Sequence, residues 1–286
     1  MPDISENLRT ASEILRESGV AEPRREAALL LAFALGKDKT FLISHNNYEL
    51  SDKEQIKFQE FLNRRTLREP FQYITGCQEF YGLNFIVTPD VLIPRPETEL
   101  IVENSVEILR ELENPRFCEV GVGSGCISVS ILHTVKTATA IGFDISPQAL
   151  EIARKNADVN DVLTRFELKQ SDIFAALENE KSEKFDLIVS NPPYVPADDF
   201  DGLQKEVSDY EPHIALTDGG SGLSIIEKII KHSPEYLKPD GFLLMEIGYN
   251  QAPNVFHIFE TEIWDKVEIL PDLQSIPRMV KAQIKA

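Results

Sequence analysis

The chain has 286 residues, of which 42% are hydrophobic, so its length and composition predict about two domains with apolar cores. No apolar run approaches the roughly 18 residues of a membrane helix, and the three cysteines form no C-x-x-C pair, so we expect no membrane association, no disulfide framework and no metal site. The net charge is −18, of which residues 76–286 carry −17, and this excess disfavours non-specific binding to nucleic-acid phosphates.

The first 75 residues predict a small helical bundle. The amino terminus itself is acidic and lacks the apolar core of a signal peptide, which together with the few cysteines indicates a cytoplasmic protein. Pro23 and Gly36 mark the start and end of one helix, and Ser51 with Glu54 forms the capping box of another. Apolar residues recur at helical spacing in the first helix, at Ile4, Leu8, Ala11 and Leu15.

Residues 76–98 change character, because aromatic residues surround Gly76 and Gly82. This pattern predicts a β-hairpin linker. The linker ends in a proline-rich segment, 92–99, that leads into a helix with apolar residues at Leu100, Ile101, Ile108 and Leu109.

From residue 116 onward, predicted strands alternate with predicted helices. The strands are 116–120, 138–143, 165–169, 185–190 and 241–247, with a final pair near 266–270 and 278–284; the helices are 125–133, 147–158, 222–237 and 250–259. Such alternation predicts a mostly parallel sheet covered on both faces. The last two strands lie too close together for a helical crossover and should be antiparallel. A long polar insertion occupies residues 195–221.

The most specific motif is Asn191-Pro192-Pro193-Tyr194, which directly follows the apolar strand 185–190. The two prolines stop the strand, so the motif is expected at the carboxyl edge of the sheet, where open α/β folds bind ligands. A carboxamide beside proline carbonyls offers acceptors for an NH₂ group, and the tyrosine ring offers a flat wall. The motif therefore indicates a site for a planar amino group; a rigid turn without chemistry is the alternative.

A glycine-rich loop runs from Glu119 to Gly125 between a predicted strand and a predicted helix. Its glycines allow a tight turn and a close approach to a ligand. A dinucleotide-binding fingerprint would have glycine or alanine where this chain has Cys126. An acid followed by G-x-G-x-G is instead typical of S-adenosylmethionine enzymes, although a short glycine loop alone can be a simple turn.

Two acidic residues follow the next strands along the chain. Asp144 is placed to accept hydrogen bonds from ribose hydroxyls, and the alternative is a helix N-cap before Pro147, formed by Asp144 or by Ser146. Asp172 is placed to accept from an adenine amino group while Ile173 packs on the ring. The alternative for Asp172 is a solvated turn residue.

The chain resembles the glutamine N5-methyltransferases that modify peptide-chain release factors. The resemblance spans nearly the whole length and is carried by the helical front region and by five motifs, which are 92–99, 121–125, 191–194, Glu211-Pro212-His213-Ile214-Ala215-Leu216 and Glu246-Ile247-Gly248. Two departures are Glu119, where the family usually has aspartate, and the tail 272–278, which lacks a glycine that members often carry.

The resemblance implies a class I S-adenosylmethionine-dependent methyltransferase with a Rossmann-like seven-stranded sheet whose last strand is antiparallel. It implies three regions: a helical substrate-docking domain (1–75), a β-hairpin linker (76–98) and a catalytic domain (99–286). The donor would be S-adenosylmethionine, leaving S-adenosylhomocysteine, and the protein substrates would be class-1 release factors. We expect no direct binding of nucleic acid, and the sequence favours a monomer without establishing the oligomeric state. Cofactor contacts are expected from Glu119, Gly121, Val122, Gly123, Ser124, Gly125, Asp144, Asp172, Ile173 and Asn191.

The mechanistic hypothesis concerns the weak nucleophilicity of an amide nitrogen. Asn191 Oδ1 and the Pro192 carbonyl are expected to accept the two N–H bonds of a substrate glutamine while Tyr194 stacks on the amide plane. Pro193 is expected to contact the substrate. Arg95 is expected either to reach the substrate or the cofactor carboxylate or to form an ordinary surface salt bridge.

Three other functions fit parts of the sequence. A DNA adenine N6-methyltransferase uses the same four-residue motif but would need a basic surface and base flipping. A ribosomal-protein glutamine methyltransferase differs mainly in its front domain and in the 92–99 segment. A non-catalytic nucleotide-binding protein would keep the glycine loop but would have no use for Asn191.

Overall fold

The computed structural model describes residues 2–178 and 184–286. The chain forms two compact units. The first, here called the helical unit, comprises the residues up to Gly76 together with Gln204–Tyr210. The second, the sheet unit, comprises Cys77–Leu203 and Glu211–Ala286. The short segment 204–210 thus belongs with the front of the chain, although the sequence placed it inside the polar insertion.

In the described residues the α-helices are α1 Ile4–Glu17, α2 Pro23–Leu35, α3 Lys39–Ser44, α4 Asp52–Thr66, α5 Phe71–Thr75, α6 Glu99–Arg110, α7 Cys126–Thr134, α8 Pro147–Val159, α9 Lys205–Ser208, α10 His213–Leu216, α11 Ser224–His232 and α12 Ala252–Phe256. The strands are β1 Cys77–Phe80, β2 Leu83–Ile86, β3 Arg116–Val120, β4 Thr139–Asp144, β5 Phe166–Gln170, β6 Phe185–Ser190, β7 Leu237–Glu246, β8 Trp264–Pro271 and β9 Pro277–Ile284. None of the described helices is long and apolar enough to cross a membrane.

In the helical unit, α2 and α4 begin at the residues that the sequence indicates, and α2 also ends where it indicates. The Asp3 side chain caps α1, Gly36 adopts φ 62° after α2, and Ser51 and Glu54 make a complete capping box at the start of α4. The apolar faces of α1, α2 and α4 form one core, whose buried members include Leu15, Leu30 and Phe58. This core makes the unit a packed body of its own.

Two arginines, Arg65 in α4 and Arg68 in the turn after it, bind the segment 204–210. Arg65, only 5% exposed in its side chain, pairs with Glu26 and with Glu206, which also pairs with Arg68. The Tyr210 hydroxyl donates to the Leu67 carbonyl. Because a buried arginine requires charged partners to compensate for lost hydration, these pairs tie α9 firmly to the helical unit.

The sheet unit opens with the predicted hairpin, β1 and β2, and continues into a seven-stranded sheet of order β5-β4-β3-β6-β7-β9-β8. The first five strands pair in parallel. Strand β9 is antiparallel to both β7 and β8. The predicted fold class is confirmed, including the antiparallel strands at its end.

Both faces of the sheet are covered, as the alternation of strands and helices predicts. Successive residues of a strand point to opposite faces, so Phe117 packs with α6, α7 and α8 whereas Cys118 packs with α11 and α12. Sheet faces that are both buried favour strands rich in apolar residues, and the middle of β6, Leu187-Ile188-Val189, has that composition.

Several predicted boundaries were wrong. Strand β7 starts at Leu237 rather than at 241, because its pairing with β6 continues past a bulge in which Asp240 adopts φ 62°. The helices predicted at 222–237 and 250–259 are shorter. Helix α11 ends at His232, and Pro234 follows it in a 3-10 helix, Ser233–Glu235, whereas Pro253 lies in the first turn of α12, where its missing N–H is tolerated. The insertion 195–221 is also partly structured, containing α9, α10 and a 3-10 helix at Ala197–Gly202.

Candidate active site

A cavity of about 360 Å³ lies in the sheet unit where the parallel strands end. The carboxyl edge of strands β3 to β6 supplies one wall, and the segment 90–98 supplies another. Eleven residues predicted to bind ligands line it, namely Arg95, Glu119, Gly121, Val122, Gly123, Ser124, Asp144, Asp172, Ile173, Asn191 and Pro193. The structure therefore brings together motifs that are up to 98 positions apart in sequence.

The glycine loop turns sharply between β3 and α7. Gly121, Gly123 and Gly125 all have positive φ, and the amides of Gly121 and Val122 both donate to the Phe143 carbonyl of β4. Gly125 does not line the cavity; a Cβ there would lie 3.2 Å from the Ala153 Cβ, so this glycine allows α8 to pack closely.

Asp144 connects the glycine loop to the next turn. Its Oδ2 accepts from the Gly123 amide at 2.8 Å, and its Oδ1 accepts from the Ser146 amide at 2.9 Å. Ser146, not Asp144, caps α8 with its side chain. Each oxygen of an ionised carboxylate can accept a second bond, so Asp144 can still receive hydroxyl groups from a ligand in the cavity.

The turn after β5 completes this wall. The Ser171 amide donates to the Asp144 carbonyl at 2.9 Å, which places Asp172 and Ile173 beside the glycine loop. Asp172 is exposed and Ile173 is half-buried with φ 52°. An acceptor next to an apolar side chain suits an amino-bearing ring, so these residues fit the nucleoside part of S-adenosylmethionine.

Glu119 is a buried carboxyl group at the floor of the cavity. Its Oε2 accepts from the Ser128 amide at 3.0 Å and from the Ser128 hydroxyl. Burial raises the pKa of Glu119 to about 8, with Ser128 opposing the shift and the Asp144 charge adding to it. A carboxyl group held in this way can neutralise a cationic ligand, because a nearby positive charge favours its ionised form.

Asn191 is held by a chain of side-chain hydrogen bonds. Its Nδ2 donates to Thr98 Oγ1 at 3.1 Å, and the Thr98 hydroxyl donates to Glu246 Oε2 at 2.6 Å. The Tyr194 hydroxyl donates to the other oxygen of Glu246 at 2.9 Å. With its amide nitrogen engaged, Asn191 presents Oδ1 as the acceptor of its carboxamide, which is the atom that the hypothesis assigns to substrate binding.

Pro192 and Tyr194 do not line the cavity, unlike Asn191 and Pro193. Pro192 is buried. The Tyr194 ring lies beside Gly248, where an added Cβ would come within 3.1 Å of it, and Gln251 Nε2 donates to the Tyr194 carbonyl at 2.9 Å. The contact of Tyr194 with a substrate amide and the acceptor role of the Pro192 carbonyl stay predictions.

Arg95 lines the cavity and pairs with Glu211. The Glu211 side chain is 2% exposed and also accepts from the Ile93 amide at 3.1 Å. The pair is thus not an ordinary surface salt bridge, because one partner is fully buried. It holds the proline-rich segment against the turn that precedes α10.

Sequence reasoning assigned no role to four residues that shape the site: Thr98, Ser128, Glu211 and Glu246. Their polar side chains are buried, which the chemistry of each residue type does not reveal by itself. One usable signal was Glu246, since an acid that ends the apolar run Leu243-Leu244-Met245 lies at the same sheet edge as Asn191. In the part of the chain that the structure describes, no cluster of three or more metal-ligating residues occurs.

Comparisons with known proteins point in one direction. Residues 6–76 match the family model of the PrmC N-terminal domain, and residues 111–267 match that of a methyltransferase domain. The chain is 41% identical to the release factor glutamine methyltransferase of Koribacter versatilis, with 95% of each chain covered. It is 40% identical to the protein of the same name from Geobacter sulfurreducens, over 94% of this chain and 93% of the other. The crystal structure of a Pyrococcus furiosus methyltransferase shares the fold, with a TM-score of 0.52, 17% identity, and coverage of 78% and 98% of the two chains.

Proposed function

Because the chain belongs to the release factor glutamine methyltransferase family, we propose that it transfers a methyl group from S-adenosylmethionine to the side-chain amide nitrogen of a release-factor glutamine. The target is the glutamine of the Gly-Gly-Gln loop in class-1 release factors. The observation that carries the proposal is the Asn191 carboxamide, whose nitrogen is held by Thr98 while its oxygen is left as an acceptor at a cavity lined by the glycine loop.

The residues of the chain supply orientation rather than a strong base. Asn191 Oδ1, together with the Pro192 carbonyl, accepts the N–H bonds of the glutamine amide and reduces its conjugation. The bound donor supplies a methyl carbon on a positively charged sulfur. When bound, this donor would keep the electron pair of its S–CH₃ bond as a neutral thioether, and the amide nitrogen oriented by Asn191 and Pro192 would gain the methyl group and release its proton to solvent. Acceptors fixed beforehand gain value as positive charge develops on nitrogen.

The test is incubation of the protein with labelled S-adenosylmethionine and a purified class-1 release factor, followed by mapping of the modified residue. We expect one methyl group on the glutamine of the Gly-Gly-Gln loop. Label on a ribosomal-protein glutamine or on DNA adenine instead would support one of the alternative substrates. Absence of transfer to all three would overturn the proposed activity.

We propose that residues 1–75 dock the release factor. Deleting them should spare donor binding in the sheet unit but cripple methylation of intact release factor. Because the deletion also removes the partners of Glu206, a matched E206Q variant of the full chain controls for loosening of the segment 204–210. Equal activity of the deleted and full chains on intact release factor would exclude docking.

We also propose an oligomeric state, a cellular location and a set of ligands for the enzyme. We expect a monomer that acts in the cytoplasm, uses no metal, leaves S-adenosylhomocysteine and binds no nucleic acid directly. Size-exclusion chromatography with light scattering, and methyl transfer in the presence of a chelator, test the first and third of these expectations.

A further inference from the structure

Glu246 is a buried carboxyl group at the end of β7, which neighbours the strand that carries Asn191. It is 3% exposed, and Thr98 is 2% exposed. Neither residue belongs to the 191–194 motif, yet both are linked to that motif by hydrogen bonds. A buried carboxyl group needs a physical reason, because its desolvation is costly unless hydrogen bonds or charges compensate for it.

The two oxygens of Glu246 serve two different hydroxyl groups. Oε2 receives the Thr98 hydroxyl at 2.6 Å, and Oε1 receives the Tyr194 hydroxyl at 2.9 Å. Burial raises the pKa of Glu246, whereas these two hydrogen bonds and the positive charge of Arg278 on β9 act in the opposite direction and the charge of Glu97 adds to the effect of burial. An ionised carboxylate is a pure acceptor, so it is the side chain suited to receive both hydroxyl protons at once.

The proton count then determines the orientation of the Asn191 carboxamide. The Thr98 hydroxyl has a single proton, and it donates that proton in its hydrogen bond to Glu246. Thr98 Oγ1 therefore has no proton left for Asn191 and can only accept a hydrogen bond from it. The Asn191 carboxamide must then direct Nδ2, and not Oδ1, toward Thr98. A carboxamide turned by 180° would place two acceptors against each other and would direct its N–H bonds toward the substrate.

We propose that Thr98 and Glu246 are positioning residues for methyl transfer, which fix the acceptor face of the Asn191 carboxamide toward the substrate amide. This inference rests on the proposed function and adds residues outside the 191–194 motif to it. The relay acts on the orientation of the Asn191 carboxamide, so we expect it to affect the transfer step much more than the binding of the methyl donor, most of whose expected contacts lie along the glycine loop and after β4 and β5.

The kinetic test compares T98V with T98S in the full-length protein. Valine has nearly the volume of threonine but no hydroxyl, whereas serine keeps the hydroxyl. We expect T98V to lower kcat by at least about tenfold relative to T98S, with the donor KM of both within about twofold of the unchanged protein. E246Q should also lower kcat, because glutamine has one acceptor oxygen where the carboxylate has two, so the Thr98 and Tyr194 hydroxyl groups can no longer each donate to a separate oxygen. T134V serves as the matched control, since among the residues that the structure describes the Thr134 hydroxyl donates to the Ser130 carbonyl within its own helix, α7.

The inference fails if T98V and T98S have equal kcat, or if the T98V defect appears only in the donor KM. A second measurement does not depend on activity. The side-chain amide protons of Asn191 should be protected from solvent exchange in the NMR spectra of the unchanged protein and of T98S, and unprotected in T98V. Equal protection in all three would also overturn the inference. If the unchanged protein transferred no methyl group, the proposed function would fail while the NMR comparison would still report on the relay.

Discussion

The two ends of the cavity are built in different ways. The end that we propose to bind the cofactor, here called the cofactor end (Glu119, the glycine loop 121–125, Asp144 and Asp172), is formed by the end of β3 and by turns that follow three strands, and it is held mainly by backbone amides. The amide end (Asn191, Thr98 and Glu246) is formed by side chains from three distant segments. A backbone-built end depends on the fold and on glycine, whereas a side-chain-built end depends on single functional groups. Substitutions should therefore affect the two ends differently.

The sharpest way to break the amide end is N191A. We expect kcat to fall about 100-fold or more, because a preorganised acceptor at the reacting nitrogen is lost. Donor affinity, measured by calorimetry, should stay within about tenfold, since the glycine loop is untouched. N104A provides the control, because in the described part of the chain the Asn104 side chain donates to the Leu100 carbonyl within its own helix, α6. Near-normal turnover of N191A would refute the assigned role.

At the cofactor end, the stability of the protein should depend on pH through the buried carboxyl group of Glu119. The pKa of Glu119 is raised to about 8 in the folded protein, compared with an ordinary pKa of 4.5 for a glutamate in the unfolded chain. Between these two pH values the folded protein therefore keeps a proton on Glu119 that the unfolded chain has released. This contribution to stability is present at low pH and is lost as the pH rises through about 8, at roughly 1.4 kcal/mol per pH unit between these values.

The variant E119Q should remove that dependence. Relative to the unchanged protein, its free energy of unfolding should rise by about 2 kcal/mol between pH 6 and pH 7.5, as followed by urea denaturation. Other groups that titrate in this range are common to both proteins and cancel in the difference. Parallel stability curves for the two proteins would show that Glu119 is ionised in the folded state.

The smallest expected effects are those of alanine substitutions at two glycines of the glycine loop, Gly123 and Gly125, which test how the backbone builds the cofactor end. Alanine at Gly123, where φ is 52° and no atom lies within 4 Å of the added Cβ, should cost about 1 kcal/mol of stability from backbone strain. Alanine at Gly125 should cost more, about 2 kcal/mol, because its Cβ also meets Ala153 at 3.2 Å. Thermal unfolding of the pair measures the difference, and equal costs would contradict the close packing of α8.

The same contrast explains what the sequence could predict. Strand and helix alternation, the capping box at Ser51 and the strand before Asn191 are local patterns, and the structure has each of them. The cofactor end was predictable because its residues follow strand ends in order. The amide end was only half predictable: Asn191 stood out beside two prolines, whereas Thr98 is joined by a hydrogen bond to a residue 148 positions away. Local periodicity carries no information about such a contact.

The segment 204–210 has a consequence for anyone who wishes to make chimeras of this enzyme. The chain passes between its two compact units after Gly76, after Leu203 and again after Tyr210. A transplant of the front region onto another methyltransferase would therefore have to carry seven further residues from the middle of the chain, or leave Arg65 and Arg68 without the carboxylate of Glu206. The two units are in this sense not modular blocks, because no single cut in the chain separates them.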